Sequence, residues 1–115
     1  MITVYGIRNC DTIKKTRRWL DENKLEHNLH DYRVDGISAA LVARLRKNFS
    51  PDQLINRRGT TWRNLPDTSK ALADGESIGK LMVEHPAIIK RPIVTDGERW
   101  LIGFDAQAFA STFNP

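Results

Sequence analysis

The hydrophobic period changes twice within the first 34 residues, and this restricts the fold more than any other feature of the chain. Ile2, Val4 and Tyr5 form a short apolar run of strand type, broken at Gly6. After Asn9-Cys10-Asp11, the residues Ile13, Thr16, Trp19 and Leu20 recur at helical spacing, with Lys14, Lys15, Arg17 and Arg18 on the other faces. Asn9 or Asp11 can cap this helix, and Asn23 can end it. His27 to Val34, with Leu29, Tyr32 and Val34, reads as a second strand. One helix between two strands predicts a parallel βαβ unit with a right-handed crossover.

From about residue 36 to 86 no strand pattern occurs. Ser38 starts a helix carrying Leu41, Val42, Leu45 and Phe49, and Pro51 and Pro66 punctuate loops. A short helix is predicted from Thr68 to Ala73. Another carries Ile78, Leu81, Met82 and His85 at i, i+3, i+4 and i+7, and stops at Pro86. Strand signals return at Pro92-Ile93-Val94-Thr95. Asp96-Gly97 then suits a type I′ hairpin turn, with Trp100-Leu101-Ile102 as the return strand. Asp105 can cap a final helix bearing Phe109 and Phe113. The order βαβ, helical insertion, ββα predicts an α/β domain of thioredoxin-like (glutaredoxin-like) layout over residues 1–115.

Composition narrows the class. A chain of 115 residues suits one domain that can bury a core without disulfides or metal. No apolar run approaches the ~20 residues of a membrane span. Met1 to Tyr5 lacks the basic and apolar regions of a signal peptide, so a cytoplasmic protein is expected. The formal net charge is +4. Its basic residues are scattered and diluted by carboxylates. Zinc-finger spacing and RRM aromatics are absent, so nucleic-acid binding is not expected.

The chain has one cysteine, which excludes an internal disulfide and a multi-cysteine zinc site. Cys10 lies between the first strand and the first helix. Helix N-termini carry unpaired N–H groups and partial positive charge, which favour a thiolate over a thiol. Lys14, one turn along, acts in the same direction and Asp11 against it. Polar neighbours on both sides distinguish Cys10 from an inert cysteine within an apolar run, so it is the expected nucleophile. Two further segments carry chemistry. Ile89-Lys90-Arg91-Pro92-Ile93-Val94 places an arginine before a proline at a strand's start, where the bond can be cis. Asn56-Arg57-Arg58-Gly59-Thr60-Thr61-Trp62-Arg63 puts guanidinium forks in a polar loop suited to an oxyanion or carboxylate, or else simply solvated with Trp62 in the core. His27-x-x-His30 lacks partners at metal-ligand spacing, and no metal is expected. His85 packs or caps its helix. No Ser-His-Asp order, phosphate-cradling glycine loop or carboxylate pair stands out.

Over nearly its whole length the chain resembles the glutaredoxin-dependent arsenate reductase and Spx family, and most nearly its small YffB subgroup. The landmarks are the first strand leading into Asn9-Cys10-Asp11-Thr12, then Arg58-Gly59-Thr60-Thr61-Trp62, then Arg91-Pro92-Ile93-Val94. The resemblance implies a thioredoxin-like fold with a helical insertion, a cis proline at Pro92, and Cys10 as nucleophile. It implies that Arg91 and a loop arginine stabilise the thiolate and bind the substrate anion. Arg58 maps to that position, with Arg57 competing. Thr12 and backbone N–H groups could add hydrogen bonds. Two departures weaken an oxyanion cradle: Trp100-Leu101-Ile102-Gly103 lacks the return-strand arginine of arsenate reductases, with Arg99 out of register, and Asp11 replaces a small glycine. Ile13 removes the Cys-x-x-Cys switch of Spx. The expected function is therefore glutathione-dependent thiol reduction, with glutathione as co-substrate, no bound cofactor, possible glutaredoxin coupling and a monomeric state. Arsenate reduction by the same thiol is the first alternative. A non-enzymatic, Spx-like protein-binding regulator is the second.

Overall fold

The computed structural model describes residues 1–113. In chain order the elements are β1 (Ile2–Gly6), α1 (Asp11–Glu22), β2 (His27–Asp31), α2 (Tyr32–Asp35), α3 (Ala39–Asn48), α4 (Pro51–Leu54), α5 (Thr60–Arg63) and α6 (Asp67–Lys70). A 3₁₀ turn (Ala71–Asp74), α7 (Ile78–Glu84), a second 3₁₀ turn (Pro86–Ile88), β3 (Ile93–Thr95), β4 (Trp100–Ile102) and α8 (Ala106–Phe113) complete the chain. They divide into two compact units: Met1–Asp35 with the segment from Arg91 onward, and Gly36–Lys90.

The first unit holds a four-stranded sheet of order β2-β1-β3-β4. β1 and β2 are parallel, as the crossover through α1 requires. β3 runs antiparallel to β1 and to β4. Ile2, Val4 and Val94 pack with Ile13 and Leu20 of α1 and with Phe109 and Phe113 of α8. Burying each aliphatic side chain of this cluster contributes roughly 1.5–3 kcal/mol. The mixed sheet, flanking helices and closing hairpin constitute the thioredoxin-like arrangement anticipated from the residue pattern.

Local chemistry changes several boundaries. β2 ends at Asp31 rather than Val34. The Asp31 carboxylate accepts the Arg33 N–H at 2.9 Å, and the Asp35 carboxylate accepts the Asp31 N–H at 3.0 Å. These side chains offer the backbone a turn in place of a ladder, and Val34 is left exposed. Neither Asn9 nor Asp11 caps α1; Cys10 itself holds the N-cap position, with extended backbone and no side-chain cap. The helix ends near Asn23 in a Schellman motif. The Leu25 N–H donates to the Leu20 carbonyl at 2.9 Å and the Lys24 N–H to the Asp21 carbonyl at 3.0 Å. Lys24 carries the left-handed conformation this requires, with φ of 58°.

The β3–β4 hairpin does not use a type I′ turn, because Gly97 has positive φ and Asp96 does not. Instead the Asp96 carboxylate accepts the N–H groups of Glu98 and Arg99 at 3.0 and 2.8 Å, which builds a four-residue loop. α8 begins as expected, with the Asp105 carboxylate accepting N–H groups of Gln107 and Ala108.

The second unit is helical. The Ser38 hydroxyl caps α3 by accepting the Leu41 N–H at 3.1 Å, and Leu41, Leu45 and Phe49 are buried. Pro51 does not mark a loop. It sits at the first position of α4, behind a capping box formed by Ser50 and Gln53. The helix expected over 68–73 is α6 followed by a 3₁₀ turn. α7 buries Ile78, Leu81 and Met82, while His85 closes it as C-cap. No helix among the described residues is long and apolar enough to cross a membrane.

Candidate functional site

Cys10 is positioned by the short turn that joins β1 to α1. Its N–H donates to the Ile7 carbonyl at 3.2 Å, and its carbonyl accepts the Lys14 N–H at 3.0 Å, opening the helix. The side chain is half-buried and packs against the edge of the sheet–helix core. The Cys10 side chain makes no cap hydrogen bond among the described residues, so the first-turn N–H groups of the 12-residue helix stay open at its start. Thr12 is half-buried in that first turn, and its carbonyl accepts the Thr16 hydroxyl at 2.7 Å.

Asp31 anchors the turn from the neighbouring strand. It is 5% exposed, and its carboxylate accepts the Arg8 N–H at 3.1 Å as well as the Arg33 N–H. Residue patterns did not single it out. The available signal was an aspartate at the end of the parallel strand next to the Cys10 turn.

Arg91 and Pro92 enter β3 through a cis peptide bond. Pro92 is buried, and its carbonyl accepts the Gly103 N–H at 2.8 Å. Arg91 is half-buried, and its stem crosses the end of β1. Its Cγ lies 3.7 Å from the point that a Cβ on Gly6 would occupy, and Ile13 of α1 packs over the same point. Gly6 thus brings the Arg91 stem and the first turns of the Cys10 helix over one patch of backbone. Tyr32 stands nearby, stacked on Tyr5 at 6.4 Å, with the His30 ring against both.

Arg58 belongs to the second unit. There the Asn56 N–H donates to the Ile88 carbonyl at 2.8 Å, and the Lys90 N–H to the Leu54 carbonyl at 2.7 Å. These bonds hold the arginine loop against Lys90. Asp52, Asn56, Arg57, Arg58 and Lys90 line a polar cavity of about 450 Å³. The two competing arginines have different surroundings. Arg57 is bound to Asp52 at 2.6 Å and lies over the Trp62 ring at 5.5 Å. Arg58 is exposed, and its backbone N–H donates to the Asn56 side chain at 3.2 Å. Trp62 is buried, as one reading of the loop required.

Arg99, the out-of-register arginine of the hairpin, is committed to its own loop. Its guanidinium donates to the Asp96 carboxylate at 2.7 and 3.0 Å. The backbone N–H groups of Arg99 and Glu98, with this guanidinium, hold the Asp96 carboxyl down at about 2. His27 lies 3.1 Å from the Leu25 carbonyl, and no group of three His, Cys, Asp or Glu side chains converges among the described residues.

A mixed sheet, a cysteine at the N-cap of the first helix and a cis-proline leading into the third strand define a thioredoxin-like domain with one cysteine in its helix-start turn. The chain belongs to the ArsC family, whose model matches residues 5–112. It is 44% identical over 113 residues to an uncharacterised protein of Haemophilus influenzae, covering 98% of this chain and 99% of that one. The solved structure of a YffB protein superposes with a TM-score of 0.90 at 40% identity, over 96% of this chain and 97% of the other. The global transcriptional regulator Spx 2 of Bacillus anthracis is 29% identical over 110 residues, or 91% of this chain and 81% of the regulator.

Proposed function

We propose that this protein is a glutathione-dependent thiol reductase that works through Cys10 alone. The Cys10 thiolate attacks the glutathione sulfur of a mixed disulfide. A Cys10–glutathione disulfide forms and the substrate thiolate leaves, to be protonated by solvent. A second glutathione thiolate then attacks the glutathione sulfur of the adduct, releasing oxidised glutathione and restoring Cys10. The net exchange is one mixed disulfide and one glutathione for one free thiol and one glutathione disulfide. Arg91 and Arg58 hold glutathione carboxylates, and Arg91 also stabilises the thiolate.

The observation that carries this reading is the place of Cys10: an uncapped helix start, half-buried, in a chain with no second cysteine to resolve an adduct. Membership of the ArsC family supports thiol-reductase chemistry. The commitment of Arg99 to Asp96 favours thiol exchange over arsenate, because it removes the hairpin arginine from any oxyanion cradle. The test is reduction of a glutathione mixed disulfide by purified protein with glutathione and its reductase. Wild type turns over and Cys10→Ser does not. Persistence of the activity in Cys10→Ser overturns the proposal. Arsenate supplied with glutathione and glutaredoxin is the companion assay, and faster turnover of arsenate would transfer the assignment to that substrate. Thiol-independent capture of RNA polymerase, with neither activity, would assign a regulator of the Spx kind.

A further inference from the structure

The turn that delivers Cys10 to α1 is held by a hydrogen bond from outside itself. The Cys10 N–H closes the turn on the Ile7 carbonyl at 3.2 Å, and neither of its central residues, Arg8 and Asn9, has a positive φ. That excludes the type II, I′ and II′ geometries, and the turn's own bond leaves the Arg8 N–H unused. This N–H donates instead to Asp31 Oδ2 at 3.1 Å, across 23 positions of chain. Asp31 stands opposite Gly6 in the parallel β1–β2 register, where β1 releases the chain toward Cys10.

A carboxylate this buried is costly unless its oxygens are hydrogen-bonded. Asp31 is 5% exposed and divides its two oxygens between two segments. Oδ1 accepts the Arg33 N–H at 2.9 Å, two residues on, and Oδ2 accepts the Arg8 N–H. The first bond is a local turn that asparagine, with its single acceptor oxygen, would make as well. The second requires an acceptor at the other position, where asparagine would set its amide N–H against the Arg8 N–H. The local turn thus accounts for one oxygen only. The other serves the segment that carries the nucleophile. The Asp31 backbone is itself held, since its N–H donates to the Asp35 carboxylate at 3.0 Å.

We infer that Asp31 is a positioning residue for Cys10: by holding the Arg8 N–H it fixes the turn that sets the thiol against the open N–H groups of α1. The inference rests on the reading in which Cys10 is the nucleophile of mixed-disulfide reduction. A sulfur that must meet another sulfur in line loses rate steeply when its carrier shifts, and the Asp31 bond ties that carrier to the end of β2.

The experiment compares Asp31→Asn, Arg8→Pro and the double variant in the full chain, with Arg8→Ala as the reference for losing the arginine side chain. Proline suits the first central position of such a turn and removes the N–H that Asp31 accepts. Both single variants are expected to lower kcat about tenfold with the KM for glutathione unchanged, Arg8→Pro being measured against Arg8→Ala. Both should also raise the pH midpoint of Cys10 alkylation, because the thiolate no longer lines up with the α1 N–H groups. The charged groups of the segments around Cys10, namely Arg8, Asp11, Lys14 and Arg91, are unaltered in Asp31→Asn. Loss of the Asp31 charge by itself would lower the midpoint. The double variant should be no slower than either single one, since the same bond is broken in all three. A midpoint that falls in Asp31→Asn, or effects that multiply in the double variant, overturn the inference. So does wild-type kcat in either folded variant, or a loss confined to the melting temperature. If Asp31→Asn does not fold, Arg8→Pro against Arg8→Ala decides alone, because that pair keeps the carboxylate and its Arg33 bond. If the wild type reduces no mixed disulfide, the thiol-reductase reading fails separately, and an alkylation midpoint unmoved in Arg8→Pro still overturns the positioning role.

Discussion

Ile13 fills the space that a Cβ on Gly6 would need. Its Cγ1 lies 3.0 Å from that point and its Cδ1 closer still, and Ile13 is fully buried. Replacing glycine by alanine in a strand ordinarily gains stability by restricting the unfolded chain. Here Gly6→Ala forces overpacking instead, at an expected net cost of about 1–3 kcal/mol in urea denaturation. Adding Ile13→Val removes Cδ1 and should recover part of that loss. The pair would then be non-additive, and independent effects would contradict the geometry.

Arg57 and Arg58 should separate by function. Arg57 is tied to Asp52 and lies over Trp62, so Arg57→Ala is expected to lower stability by about 1 kcal/mol. Arg58 is exposed, so Arg58→Ala should leave the melting temperature unchanged and raise the KM for glutathione several-fold. Steady-state kinetics beside thermal melts check both. The reverse pattern would assign the anion site to Arg57.

The hairpin should confer acid sensitivity. Asp96 is held at about 2, below its ordinary value near 4, by backbone N–H groups of Arg99 and Glu98 and by the Arg99 guanidinium. A carboxylate whose folded pKa is depressed contributes stability above its unfolded pKa and loses it as pH falls through the folded one. The stability difference between wild type and Asp96→Ala should therefore be constant from about pH 5 to 7 and shrink between about pH 4 and 2. Urea midpoints at each pH measure it. A difference that persists unchanged at pH 2 would show that the carboxylate charge is not its source.

Lys24 holds a left-handed backbone, φ 58°, in the Schellman motif behind α1. That conformation costs an L-residue with a Cβ roughly 1–2 kcal/mol. Lys24→Gly relieves it while loosening the unfolded chain, so a net gain of about 0.5 kcal/mol is expected. Thermal unfolding checks the direction. A loss of stability would mean that the lysine side chain contributes more than its backbone strain costs.

Much of the architecture was legible without coordinates. The period-2 and helical stretches up to Leu29 require strand, helix and strand, and one helix between two strands dictates the parallel pair. The polar neighbours of Cys10 marked it before any contact was known. These features are local: periodicity and flanking residue types act over a few positions, so they survive reading in one dimension. Where β2 ends, who caps α1 and how the hairpin turns depended on competition between side chains and backbone. Asp31, Asp35 and Asp96 each satisfied main-chain N–H groups that a ladder or a tighter turn would otherwise have used. Propensity alone does not rank those alternatives.

The pairings that matter most for the site were decided by the tertiary structure alone. Arg91 is far in sequence from Gly6 and Ile13, and nothing in their identities reveals that the three share one patch of backbone. Arg57 and Arg58 are adjacent and chemically identical, yet Asp52 and Trp62 bind one of them because the loop's path brings that side chain over them. That the buried Tyr32 hydroxyl has no partner among the described residues is likewise invisible in the chain, since a residue's hydrogen bonds depend on what folding brings beside it. The sequence by itself determined that a lone cysteine would stand at the start of a helix. Packing across the sheet determined which side chains surround the segments beside it, because burial and hydrogen bonding between distant residues are settled only when the chain closes on itself.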